Sequence, residues 1–89
     1  MARLDLKNAD IAEMGCTGLT AELMLQMGLD AASGRQGVLD LIEAHKWFNL
    51  AAFKGNEEAV QLRAELSEQM SSEDVALAQK AARHWLSLH

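Results

Sequence analysis

The chain has 89 residues, 49% of them apolar, with one cysteine, no proline and no tyrosine. A single cysteine excludes an intrachain disulfide and leaves a zinc site short of ligands, so apolar packing must supply the core of a domain that buries only roughly 60–65% of its unfolded surface. Thirteen acidic and eight basic side chains give a net charge of −5, the wrong sign for a polynucleotide or an anionic membrane.

Ala, Leu, Met, Glu and Gln are abundant and β-branched residues few, which predicts helix nearly throughout. The first residues, MARLDLKNADIAEM, lack the apolar run of about 7–15 residues that marks a secretory leader. No stretch has the length of a transmembrane helix, so the chain reads as cytoplasmic.

Asn8 is a candidate N-cap for a short helical element ending at Met14. Only Leu4, Leu6, Ile11 and Met14 have anything to bury there, and Gly15-Cys16-Thr17-Gly18 reads as a turn. Thr20 then caps a helix, AELMLQMGLDAA, in which Leu23, Met24, Met27 and Ala31 fall on one stripe. Leu25 and Leu29 lie off that stripe. Two glycines, Gly34 and Gly37, break the helix.

The next helix is predicted from about Val38 to Lys54, with Gly55 as its stop. Leu41, Ala44, His45, Phe48, Ala51 and Ala52 form one stripe, while Ile42, Trp47, Leu50 and Phe53 spread around the rest. A helix apolar nearly all round belongs between neighbours. Asn56 caps a third helix with Glu57 and Glu58 in its first turn, where the helix dipole favours carboxylates. Its stripe of Ala59, Leu62, Leu66 and Met70 is narrow. Ser71 and Asp74 then make a capping-box-like start to a fourth helix, followed by Val75, Ala78, Ala82, Trp85 and Leu86 at helical spacing.

A shift of 38 residues lays Ala44 on Ala82, Trp47 on Trp85, Phe48 on Leu86 and Leu50 on Leu88; it also lays Ala21 on Ala59 and Met24 on Leu62. That period lies in the range of helical repeats built from two helices each. The segment MGLDAASGRQGVLDLIEAHKWFNLAAFKGNEEA resembles one repeat of the Sel-one-like family, a relative of the tetratricopeptide repeats. Met27-Gly28, Gly34, Gly37-Val38 and Asp40, then Ala44, Trp47, Ala51-Ala52 and Gly55, occupy the family's positions, and the tail from Leu62 to Leu86 is similar to its closing helices. Ala31 departs from the pattern where an aromatic is expected, an extra residue separates Gly34 from Gly37, and Val38 and Asp40 are one residue closer than usual. The resemblance implies an α/α superhelix and a protein-interaction role, and it carries no catalytic residue.

Candidate chemistry is sparse. Cys16 lies in a glycine-flanked turn near the start of a helix, but no His or Lys is close in sequence to activate it. His45 and His84 shortly precede the two tryptophans and read as packing or helix-end residues, and the spacing of His84 and His89 is not that of a helical metal pair. Asp40, Glu43, Glu57 and Glu58 are explained by helix starts. The methionines read as core filler rather than as an adaptable binding face.

The expectation is therefore an all-α, helical-repeat fold of four main helices, with a short N-terminal helix as a further element. Residues 1–18 form an N-terminal segment, 19–55 the repeat pair, and 56–89 a second, degenerate or capping pair. Function is expected to be non-catalytic, with no cofactor and no metal. The chain would act as an adaptor or scaffold whose groove, on the first helix of each pair, takes a peptide or helix from another protein. Leu25, Leu29, Lys46, Asn49 and Phe53 are the candidate partner-binding residues, because the core stripes leave them over. Self-association as a homodimer is one alternative, since about three repeats are usually needed for a stable stack; an accessory subunit of an enzyme is another.

Overall fold

A computed structural model describes residues 19–34 and 39–88, and these form four α-helices with no strand among them. They are α1 (Ala21–Ser33), α2 (Leu41–Phe53), α3 (Glu57–Ser67) and α4 (Ser72–Leu88). The element predicted from Asn8 to Met14, Cys16 and the second loop glycine, Gly37, lie outside the described residues.

Each helix start is set by one side chain that accepts a hydrogen bond from an otherwise unpaired N–H three residues on. Thr20 Oγ1 accepts from Leu23 at 3.2 Å, Asn56 Oδ1 from Ala59 at 2.8 Å and Ser71 Oγ from Asp74 at 3.1 Å. The predicted start of the second helix near Val38 is corrected. Asp40 is its cap, in extended backbone, with Oδ1 accepting from the Glu43 N–H at 3.0 Å, so the helix begins at Leu41. Glycines end two of the helices in the left-handed region: Gly34 at φ 73° after α1, and Gly55 at φ 102° just beyond α2.

The central element is α2. It packs against α1, α3 and α4, whereas the other helix pairs meet only marginally. This is the sandwiched position that its all-round apolar sequence called for. One core cluster joins Met24, Trp47, Leu50, Ala51, Ala59 and Ala82; a second joins Ala44, Phe48 and Leu66 on another side of α2.

The stripe predicted for α1 holds at Met24 and Ala31 but not at Leu23 and Met27. Met24 and Gly28 are the buried residues, and Leu25 and Leu29 pack beside them against the core clusters. Leu23 is 51% exposed and Met27 36%. The reason is Gly28. A Cβ built on it would lie 2.5 Å from Cε1 and 2.6 Å from Cδ1 of Phe48, so the absence of a side chain lets the Phe48 ring run against the backbone of α1. That contact turns the helix about its axis toward the Gly28 side.

Positions related by the 38-residue shift behave alike in part. Ala44 and Ala82 are both buried, and Trp47 and Trp85 meet edge to face with centroids 6.0 Å apart at 71°. Leu50 is buried but Leu88 is exposed, and α4 starts at Ser72 rather than at Gln79, the counterpart of Leu41.

Candidate functional site

The polar residues of α2 and α3 are organised by one buried imidazole. His45 is 1% exposed, and both of its nitrogens are paired. Nε2 lies 2.7 Å from Ser67 Oγ, and Nδ1 lies 3.0 Å from Asn49 Nδ2. Ser67 spends its only hydroxyl hydrogen on the Arg63 carbonyl at 2.8 Å, so its oxygen accepts from His45, and the proton sits on Nε2. Nδ1 then accepts from the Asn49 amide. Asn49 Oδ1 in turn accepts from Arg63 Nη1 at 3.0 Å. Ser67, His45, Asn49 and Arg63 thus form a chain in which each link pairs one donor with one acceptor, with a neutral imidazole in one tautomer.

Burial, and next the charge of Arg63, hold the His45 pKa below the ordinary 6.5, against a smaller opposing backbone hydrogen bond. A second proton would put an N–H at Nδ1 facing the Asn49 amide hydrogens; turning that amide over would aim them at Arg63 instead. The unfolded chain therefore takes up this proton more readily than the folded one. Stability from this group is full above about 6.5 and falls as the pH drops through that value toward the lowered folded pKa. Urea midpoints measured from about pH 8 to about pH 5 are expected to decline, and the decline should flatten in His45→Gln. An equal slope in the two proteins would refute the assignment.

Beside this chain, α2, α3 and α4 enclose an open groove of about 500 Å³. Buried Leu50 and Ala82 form its floor, and Ala52, Leu86 and the exposed Phe53 and Val60 complete its apolar lining. Asn49, Arg63, Gln79 and Arg83 supply its polar side chains.

The five residues singled out in the sequence are not brought together. Phe53, 71% exposed, and Asn49 line the groove. Lys46 folds along its own helix, with Nζ 3.0 Å from Glu43 Oε2 and 4.3 Å from the Trp47 ring centroid. Leu25 and Leu29 pack against the core instead of standing on a free face. Of the first helices of the two pairs, where a groove was expected, α3 lines this one through Val60 and Arg63 and α1 does not. Val60, Arg63, Gln79 and Arg83 also line the groove and were not among the residues singled out in the sequence. A signal existed for part of this: His45/Asn49 and Arg63/Ser67 are polar pairs spaced four apart on consecutive helices, so each pair shares a helix face.

Among the described residues no three His, Cys, Asp or Glu side chains converge as metal ligands would. No described helix is long and apolar enough to cross a membrane. Comparison with protein-family models, curated protein sequences and solved structures returned no match to this chain.

Proposed function

We propose that the chain is a non-catalytic protein-interaction module, an adaptor or scaffold of the helical-repeat kind, that receives a peptide or helix of another protein in the groove over α2. The carrying observation is the groove itself. Large apolar side chains, Phe53 and Val60, stand exposed at an open concavity whose polar residue Arg63 is already held in place by Asn49. An apolar lining with a few fixed polar groups is the usual make-up of a recognition site. The repeat reading is supported by the burial of Ala44 and Ala82 and by the contact of Trp47 with Trp85.

Site-specific photocrosslinking in the native cells tests this. A crosslinker at position 53 is expected to capture one or a few proteins that the same group at position 22, on the exposed face of α1, does not. Failure to capture any protein selectively from position 53 would overturn the reading. A second reading, self-association, is favoured by exposed Leu23 and Met27 one turn apart on α1. Light scattering that finds only monomer at high concentration would remove it.

A further inference from the structure

We propose that the groove selects an acidic occupant: an amphipathic helix of another protein that sets apolar anchors against Phe53, Val60 and Leu86 and carboxylates against Arg63 and Arg83. The inference rests on the interaction-module reading and adds the chemistry of the partner.

The charge distribution carries it. The chain has a net charge of −5, yet the groove lining holds two arginines and no carboxylate. The ion pair found among the described residues joins Lys46 and Glu43, and neither Arg63 nor Arg83 has a carboxylate within ion-pair distance there. Arg63 is also preorganised. One guanidinium nitrogen donates to Asn49, whose amide is oriented by the buried His45 and through it by Ser67. The other donors of the fork stay available for a carboxylate, the geometry a guanidinium fits best. Fixing the side chain in advance lowers the entropy lost on binding.

The apolar part sets the shape. Gln79, Ala82, Arg83 and Leu86 follow one face of α4 over two turns, about 10 Å. The complementary ligand is two turns of helix with anchors at i, i+3 or i+4, and i+7. Nucleic acid fits poorly, because two cations on a chain of −5 release too few counterions to hold a phosphate backbone.

The experiment is selection of a displayed library of helical peptides, randomised at every outward position, against the full chain. The expected pool is enriched in Asp and Glu beside apolar anchors. Its binding should weaken about tenfold in Arg83→Glu and in Phe53→Ala; both side chains are exposed, so neither change threatens folding. A pool that depends on Phe53 but shows no acidic bias would overturn the inference while leaving the interaction module standing. An acidic pool indifferent to both substitutions would overturn it as well, and no enrichment at all would remove both readings. A dimer that dissociates on peptide binding would place a second copy in the groove. Tighter peptide binding after Ile11→Asp with Met14→Asp would place the chain's own N-terminal segment there. Either result overturns the proposal.

Discussion

Trp47→Ala is expected to remove about 3–5 kcal/mol of stability, a large share of the roughly 4–13 kcal/mol that a chain of this length carries at about 0.05–0.15 kcal/mol per residue. The indole is buried on α2, the helix that packs against all three others. Its Nε1–H donates to Glu43 Oε2 at 2.9 Å, and its ring meets Trp85 edge to face. Truncation opens a cavity where α1, α2, α3 and α4 contribute Met24, Leu50, Ala59 and Ala82 to one cluster. Collapse around it is limited, because two of those neighbours are alanines. Trp47→Phe keeps an aromatic ring and loses the bond to Glu43, so it should cost about 1–2 kcal/mol. Urea unfolding followed by far-UV circular dichroism separates the two, and a loss below about 1 kcal/mol for the alanine variant would contradict the packing account.

Gly28→Ala decides between two opposed effects. Helix propensity alone predicts a gain of about 1 kcal/mol, since glycine is the poorer helix former. Packing predicts the reverse. The new methyl would meet Phe48 at 2.5 Å and the Ala44 carbonyl oxygen at 3.2 Å, and Phe48 is itself buried. Overpacking of this kind costs about 1–3 kcal/mol, so the variant should be net destabilised. Phe48→Leu in the same background should recover part of the loss, a coupling read from a double-mutant cycle. A more stable Gly28→Ala protein would show that α1 and α2 are not in close contact at this point.

Local chemistry was the legible part of the sequence. Thr20, Asn56 and Ser71 announce helix starts because a cap needs only its own next three residues, and Gly34 and Gly55 announce stops for the same reason. The burial of Leu41–Phe53 between neighbours was legible too, from apolar residues on every side. The phase of α1 was not. Leu23, Met24, Leu25, Met27 and Leu29 offer more than one apolar stripe, and the choice falls to Gly28, whose meaning depends on a ring twenty residues away. The groove was equally hidden, because its width follows from the angles at which α3 and α4 lean on α2. No periodicity within a single helix encodes them.

The hydrogen-bonded chain through His45 has a consequence for alignment. A one-turn slip would set Leu62 or Met70 in the place of buried Leu66, so apolar contact at that position does not by itself fix the register of α3 on α2. Slipping α3 one way would set Arg63 against His45 and Ala59 against Asn49, leaving a cation facing the buried ring and an amide without its partner. Slipping it the other way would bring Ser67 to Asn49 and move the non-helical Ser71 opposite His45. Only one setting satisfies all four side chains. Unmet hydrogen bonds at a buried site cost about 1–3 kcal/mol each, so the polar residues act as a key that indexes two greasy surfaces against each other.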